Sequence, residues 1–157
     1  MHNEKQVAEA LRWIVGILIS CGADFQVVGG LAARAFGATR PIVDLDFYVS
    51  ESDLPQVLAV VDEFCVWGPK HYRDESWDLT FAKLEKNGVQ IELGKAEGAR
   101  YYDRLHRRWM AQDVDFSCSE PRIVLGLEVP VMPRNQLVSY KRALDREVDR
   151  LDVEAIR

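Results

Sequence analysis

The sequence contains few of the features that define disulfide-rich proteins. Its three cysteines, Cys21, Cys65 and Cys118, are odd in number and far apart, and no CxxC pair is present. Both a disulfide framework and a cysteine-rich zinc site are therefore excluded. Buried thiols in a reducing cytoplasm are the expectation, so we expect a cytoplasmic protein.

A long hydrophobic run is also missing. The longest apolar stretch near the start, Trp13 to Ile19, is too short to span a membrane. Its length would suit a signal peptide, but Glu4 and Glu9 offset the positive charges in front of it, and no A-x-A cleavage site follows promptly. We interpret this stretch as part of a core helix and expect no membrane association.

The sequence has no excess of positive charge. The formal net charge is −5 and the pI is about 5.2. A protein that binds long nucleic acid through its phosphates needs a basic face, which argues against that function. A single nucleotide remains compatible with this charge, because bound metal ions can supply the positive charge.

Repeats, low-complexity tracts and Gly/Ser linkers are absent, so we expect residues 1–157 to form one domain. Hydrophobic periodicity and turn residues predict a first helix capped by Asn3 and ending at Gly22. Further helices are predicted over 31–36, 53–64, 98–112 and 133–146, and extended segments over 25–28, 42–49, 77–84, 89–93 and 122–131. Asn87-Gly88 is typical of a hairpin turn. The interleaved elements predict an α/β (α+β) fold, with a small mixed β-sheet flanked by helices.

Asp44 and Asp46 stand on the most clearly predicted strand. Carboxylates at positions i and i+2 of a strand point to the same side, where their oxygens can converge on one or two hard cations. Without a cation, the two like charges would repel each other. The alternative is a solvated strand face, on which the Asp-x-Asp pattern is common.

Gly29 and Gly30 follow an apolar strand and open a predicted helix. Backbone N–H groups at such a position favour a phosphate, and the absent side chains allow it to approach closely. The alternative is a tight strand-to-helix turn with no ligand. A phosphate-binding turn followed by a metal-binding strand is a more specific signal than either feature alone.

The stretch VVGGLAARAFGATRPIVDLDFYV, from Val27 to Val49, resembles the polymerase-β-like nucleotidyltransferase superfamily. It is most similar to the small single-domain branch that includes lincosamide nucleotidyltransferases and minimal nucleotidyltransferases. A weaker similarity to the end of that branch is carried by Leu137, Lys141, Arg146, Asp149 and Asp152. Ile42 and Val148 depart from the pattern, which more often has a polar residue and a lysine there.

The resemblance implies Mg²⁺-dependent transfer of a nucleoside monophosphate from a triphosphate such as ATP to a hydroxyl, with release of pyrophosphate. Asp44 and Asp46 would hold Mg²⁺, while Gly29 and Gly30 would cradle the β- and γ-phosphates. Glu92 is the candidate for a third metal-binding carboxylate that also helps to deprotonate the acceptor. It projects opposite the apolar residues of its strand, and its alternative is a surface glutamate. Asp78 is the second candidate for that role.

The positively charged residues are less specific. The resemblance implies phosphate contacts for Arg40 and Lys141, and the alternative for Arg40 is a surface salt bridge. Four arginines would line one face of the helix predicted over 98–112, which is typical of a solvated face; they are Arg100, Arg104, Arg107 and Arg108. His71 and His106 are interpreted as ordinary surface or loop residues.

The expected partners are a nucleoside triphosphate and an acceptor, either a small molecule or a protein. An alternative is the nucleotidyltransferase-like module of a toxin–antitoxin pair, which would act on or bind a protein partner, with or without catalysis. RNA-end modification is a third possibility, which the acidic charge disfavours. The segment from Trp67 to Trp77 is aromatic and charged, but its pattern does not name the acceptor.

Overall fold

The computed structural model describes residues 3–157, and its first element is the expected capped helix. In α1 (Glu4–Ser20) the Asn3 side chain accepts a hydrogen bond from the Gln6 N–H, and the Gln6 side chain accepts one from the Asn3 N–H. Gly22 follows the helix with φ 64°, a left-handed conformation that glycine adopts without strain. The predicted capping box and helix end are therefore confirmed.

The described residues form five α-helices and nine β-strands. After α1, the helices are α2 (Gly29–Ala35), α3 (Leu54–Val60), α4 (Arg134–Leu144) and α5 (Glu147–Ile156). The strands are β1 (Phe25–Val28), β2 (Leu45–Val49), β3 (Cys65–Arg73), β4 (Trp77–Lys86), β5 (Val89–Lys95), β6 (Arg100–Asp103), β7 (Arg108–Ala111), β8 (Glu120–Val124) and β9 (Leu127–Val131).

The strands form one mixed sheet in the order β7-β6-β4-β5-β2-β1-β9-β8, with β3 paired to β4 off this path. β2 lies antiparallel to β1 and parallel to β5, at the centre of the sheet. The turn between β4 and β5 has positive φ at both Asn87 and Gly88, as a tight hairpin requires. The predicted mixed sheet flanked by helices and the predicted hairpin are both confirmed.

One side of β2 faces the hydrophobic core. Leu45 and Val49 have no exposed surface and Phe47 is 2% exposed. The apolar stripe of α1 is buried as well, and α1 contacts α3 and β5. Burying one such side chain contributes about 1.5–3 kcal/mol, so this packing fixes the side of the strand on which Asp46 lies.

The helix predicted over 98–112 is wrong. The segment forms strands β6 and β7, paired between Arg100 and Ala111 and between Tyr101 and Met110. Tyr101 and Asp103 are buried while Tyr102 is half-buried, which is the two-residue period of a strand. The spacing of the arginines matched a helix by coincidence, and they form no shared stripe.

Other boundaries differ from the prediction. The strand predicted from residue 42 begins at Leu45, so Asp44 lies just before it. The helix predicted over 53–64 ends at Val60 and is followed by a short 3₁₀ turn. The extended segment 122–131 is the β8–β9 hairpin, which turns at Leu125 and Gly126 with positive φ at both. Among the described residues, no helix has both the length and the apolar character of a membrane span.

Candidate active site

A row of directly paired residues crosses five neighbouring strands of the sheet and defines the site. Asp46 on β2 lies opposite Val28 on one side and opposite Glu92 on the other. Glu92 in turn pairs with Lys83 on β4, and Lys83 pairs with Trp67 on β3. All five residues line one cavity of about 520 Å³.

Three carboxylates converge on this cavity. Asp44, Asp46 and Glu92 each offer an oxygen, and these oxygens all lie within 4.8 Å of one another. Asp44 is positioned by the loop that enters β2, whereas the other two side chains are positioned by paired strands. Pairing in register therefore brings together carboxylates that are far apart in the sequence.

The electrostatics of the three carboxylates are unfavourable without a cation. Burial, followed by the charges of Asp44 and Glu92, raises the pKa of Asp46 well above its ordinary value. Burial and the charge of Glu92 also raise the pKa of Asp44. Asp46 Oδ1 is buried and has no hydrogen-bond partner among the described residues. Three oxygen ligands, one of them unpartnered, fit a hard divalent cation such as Mg²⁺.

The glycine turn lies directly beside these carboxylates. Gly29 has φ 66°, and a Cβ built there would collide with the Oδ2 atom of Asp46. Its N–H donates a hydrogen bond to the Tyr140 hydroxyl at 3.1 Å. A Cβ on Gly30 would lie 2.7 Å from Arg40 Nη2. Gly29 therefore needs glycine both for space and for its backbone conformation, whereas a side chain at Gly30 would have to displace the end of the Arg40 side chain.

Behind the turn lies a network of ion pairs between the α2–β2 loop and the two C-terminal helices. Arg40 donates from Nε and Nη2 to the two carboxylate oxygens of Asp152, at 2.6 and 2.8 Å. Lys141 Nζ lies 2.9 Å from Asp152 and 3.5 Å from Asp149. Arg146 Nε and Nη2 donate to Asp149 at 2.7 and 3.1 Å. We call these five residues the ion-pair network.

The network is largely inaccessible to solvent. Lys141, Asp149 and Asp152 are each at most 2% exposed. Burial alone would raise the pKa of Asp152, but hydrogen bonds from Arg40 and Lys141 hold it below its ordinary value. Arg40 thus forms a partly buried ion pair in place of a surface one, and its guanidinium still lines the cavity. Lys141 lines the cavity too, while its ammonium contacts both aspartates.

The structure separates the two candidates for the third carboxylate. Glu92 lines the cavity, whereas Asp78 does not. Asp78 lies on β4 out of phase with the cavity-lining residues of that strand and contacts His71 Nε2 at 2.5 Å and Arg100 Nε at 3.1 Å. Hydrogen bonds from His71 and then Arg100 lower the pKa of Asp78.

The two histidines also have defined positions. His71, interpreted as a surface or loop residue, is exposed but belongs to strand β3. His106 is exposed in the β6–β7 turn, where its Nδ1 lies 2.7 Å from Asp103. Neither histidine lines the cavity with the three carboxylates.

The cavity also contains a group of aromatic side chains, two of them from the segment Trp67 to Trp77, whose placement in the site was not predicted from the sequence. Trp67, Tyr72 and Phe81, here called the aromatic wall, line the side formed by β3 and β4. The Trp67 and Phe81 ring centroids are 4.6 Å apart, and Tyr72 meets Phe81 edge-on at 5.6 Å. The strand predicted over 77–84 contains Phe81, but β3, which carries Trp67 and Tyr72, was not predicted.

Sequence comparisons alone do not place this chain. No protein-family model matches it, and a comparison of its sequence with curated proteins finds no match. Any relationship therefore has to be sought in the fold.

Several solved structures share the fold, and two of them are informative. One is TM1012 of Thermotoga maritima, assigned as a nucleotidyltransferase, with a TM-score of 0.64, 20% identity, and coverage of 79% of this chain and 75% of that one. The other is ANT(2″)-Ia in complex with adenylyl-2″-tobramycin, with a TM-score of 0.57, 13% identity, and coverage of 96% and 89%. The fold implied by the sequence resemblance is confirmed: the chain has the architecture of nucleotidyltransferases.

Proposed function

We propose that this protein is a nucleotidyltransferase that uses Mg²⁺ to transfer a nucleoside monophosphate from a triphosphate such as ATP to a hydroxyl of a small molecule. The observation that carries the proposal is the convergence of Asp44, Asp46 and Glu92 beside a turn without side chains. The shared fold supports it, as does the adenylylated small molecule in the ANT(2″)-Ia complex.

The metal would be held by the three carboxylates. When bound, Mg²⁺ neutralises the charge that develops on the phosphates and orients them. The unpartnered Asp46 Oδ1 supports this assignment, because a buried carboxylate oxygen without a partner destabilises the fold unless a ligand satisfies it.

The glycine turn and the cations around it would position the triphosphate. At Gly29 and Gly30 only backbone borders the cavity, which leaves room for phosphate oxygens. Arg40 uses Nε and Nη2 to bind Asp152, while its Nη1 makes no hydrogen bond within residues 3–157 and is our candidate phosphate donor. Lys141 would contribute positive charge while it holds Asp149 and Asp152 in place.

The reaction requires no covalent intermediate on the protein. The acceptor oxygen forms a bond to the α-phosphorus, and the bond from that phosphorus to the oxygen bridging the α- and β-phosphates breaks. Its electron pair leaves with pyrophosphate, and the acceptor proton passes to the carboxylate of Glu92. Catalysis of this kind depends on positioning and on electrostatic stabilisation of the phosphates.

The test is transfer of label from an α-labelled triphosphate, with Mg²⁺, to a pool of sugars, nucleosides, aminoglycosides and aromatic alcohols. We expect labelled small molecules and equal release of pyrophosphate, both abolished by EDTA and by Asp44→Asn. Label found only on a co-purified protein would favour the toxin–antitoxin alternative. No transfer to any acceptor, with Mg²⁺ present and the protein folded, would overturn the proposal.

A further inference from the structure

The cavity extends beyond Glu92, on the side away from the glycine turn. The aromatic wall lies on β4, which carries Phe81, and on β3, which carries Trp67 and Tyr72. At about 4.8 Å per strand, β4 and β3 lie roughly 10 and 14 Å from β2 and Asp46 across the sheet. If the triphosphate lies at Gly29 and Gly30, as the proposed function requires, the wall is on the acceptor side.

The shape of this side suits a flat group. The Phe81 ring is buried and the Trp67 ring lies against it at an interplanar angle of 36°. Leu79 and Trp77 continue the apolar lining along β4. Aromatic side chains arranged in this way favour an unsaturated ring, which can stack or pack edge-on against them.

Two lysines lie near the aromatic wall: Lys70, whose Nζ is 4.7 Å from the Trp67 ring centroid but which does not line the cavity, and Lys83, which does. Four cations line the cavity, and three of them, Arg40, Lys141 and Arg146, belong to the ion-pair network. Within residues 3–157, Lys83 has no carboxylate within 4.0 Å. Its ammonium lies 5.8 Å from the Trp67 ring centroid and 5.9 Å from that of Phe81. An unpaired cation therefore lies beside the aromatic wall.

The acidic residue on this side is engaged by the protein's own hydrogen-bond donors. Apart from the three carboxylates assigned to metal, Asp74 is the acidic residue of the cavity lining. Its Oδ1 accepts the N–H groups of Ser76 and Trp77 at 2.8 and 2.7 Å. Its Oδ2 accepts the Tyr72 hydroxyl at 2.7 Å. Asp74 is therefore used to hold the β3–β4 turn.

We propose that the acceptor is a hydroxyl-bearing small molecule with a flat unsaturated ring and an anionic group. The ring packs on the aromatic wall and the anion pairs with Lys83. This inference rests on the proposed function and sets the acceptor apart from a polycation such as tobramycin. Lys83 is a binding residue in this assignment, because its positive charge selects an acceptor that carries a negative charge.

The test uses three alcohols with the same ring and hydroxymethyl group: 4-(hydroxymethyl)benzoate, 4-(hydroxymethyl)benzamide and 4-(aminomethyl)benzyl alcohol. Calorimetry measures their binding to protein saturated with Mg²⁺ and a triphosphate whose α–β bridge cannot be cleaved. We expect the anion to bind about 10- to 100-fold more tightly than the cation, with the neutral amide between them, as a charge-assisted contact predicts. Equal affinities, the reverse order, or no binding of the anion would overturn the inference.

Two variants inside the cavity and one control outside it show which residues determine the binding preference. Lys83→Met should remove the preference for the anion and leave the amide unaffected. Lys86→Met, on the same strand but over Trp13 and Phe64 outside the cavity, is the matched control and should keep the preference. Trp67→Leu should weaken the binding of 4-(hydroxymethyl)benzoate by about 3- to 10-fold. It should weaken the binding of the saturated cyclohexane analogue less. An unchanged preference in Lys83→Met would contradict the role of Lys83.

A separate readout distinguishes this inference from the proposed function. Pyrophosphate release with tobramycin, without discrimination among the three alcohols, would overturn the anionic acceptor and keep the nucleotidyltransferase. The opposite outcome is no Mg²⁺-dependent pyrophosphate release with any acceptor, together with the expected order of binding affinities. It would overturn the proposed nucleotidyltransferase activity and keep the inference of an anion-selective aromatic cavity.

Discussion

At the scale of single residues, Asp46 shows how a candidate site can be recognised from a side chain whose position lowers the stability of the fold. Its carboxylate is buried beside two others, and one of its oxygens has no hydrogen-bond partner among the described residues. Hydrophobic packing on the other face of β2 holds it there despite the repulsion. A side chain retained at the expense of stability is better explained by a ligand than by folding.

The first prediction concerns the pH dependence of stability in EDTA. The pKa of Asp46 in the folded protein lies well above the ordinary value of 3.8. At pH values between these two pKa values, the folded protein therefore binds more protons than the unfolded chain. Stability contributed by protonation is present at low pH and is lost as pH rises from about 3.8 through the raised pKa. Asp46→Asn should remove this loss and be more stable than wild type at pH 7 in urea titrations.

Asp78→Asn is the control with the opposite sign. Its lowered pKa means that the ionised carboxylate stabilises the folded state above the unfolded pKa, and that this stability is lost as pH falls. Asp78→Asn should therefore be less stable than wild type at pH 7. Parallel stability curves for wild type and Asp46→Asn would contradict the strain assigned to Asp46.

The second prediction concerns the proposed base. Glu92→Gln keeps the side-chain size but removes its basicity, so kcat should fall by about 10²–10⁴-fold. The Kd for the triphosphate should change far less, because Asp44 and Asp46 remain. Steady-state pyrophosphate release and a binding titration measure the two quantities. Asp78→Asn should retain near wild-type kcat, because that carboxylate lies outside the cavity, and unchanged turnover in Glu92→Gln would remove Glu92 from the mechanism.

At the scale of elements, the ion-pair network connects α4 and α5 to the loop that leads into β2. Arg40 lies in that loop, Lys141 on α4, and Asp152 on α5. Helix α4 also supplies Tyr140, whose hydroxyl accepts a hydrogen bond from the Gly29 N–H. The closing helices therefore hold both the glycine turn and the entry to β2, which places residues near the chain's end beside the candidate site.

The third prediction tests this connection. Asp152→Asn removes the carboxylate that Arg40 binds and leaves the buried Lys141 with Asp149 at 3.5 Å. Because the Arg40 side chain is 25% exposed and Lys141 keeps one partner, the cost is below that of breaking a fully buried pair. We expect a loss of about 1–3 kcal/mol in the free energy of unfolding from urea titrations. Asp145→Asn is the matched control, since it removes an exposed pair with Arg150 and should change stability little. A loss no larger than that of the control would contradict a structural role for the network.

At the scale of the whole molecule, local pattern and long-range pairing contributed different parts of the site. Asp44 and Asp46 were predicted from alternation on one strand, and Gly29 and Gly30 from the turn before them. Glu92 was found because its strand alternates clearly, but its distance to Asp46 depends on a parallel pairing across 46 residues of chain. Residues on one face of a single strand can be predicted from the sequence pattern, whereas the residues that lie beside them on neighbouring strands cannot.

The failures have the same cause. The helix predicted over 98–112 was wrong because the pairing of β6 with β7 and β4 decided the structure of this segment. The aromatic wall was missed because Trp67 and Tyr72 lie on β3, whose mostly exposed residues show no apolar period. Tertiary pairing overrode local propensity in both segments.

The last prediction concerns the folded state as a whole and the ligand that binds it. A ligand present at 100 times its Kd stabilises the state that binds it by about 2.7 kcal/mol. We expect ATP or another common triphosphate to raise the thermal midpoint in the presence of Mg²⁺ and much less in EDTA. Asp46→Ala should abolish the Mg²⁺-dependent part, although by itself it relieves repulsion between carboxylates and leaves the fold intact. Scanning calorimetry of both proteins, with each of the four triphosphates and with Mg²⁺ or EDTA, separates these contributions. A wild-type midpoint that does not respond to any triphosphate with Mg²⁺, or an Asp46→Ala protein that responds as wild type does, would show that the three carboxylates do not form a metal–nucleotide site.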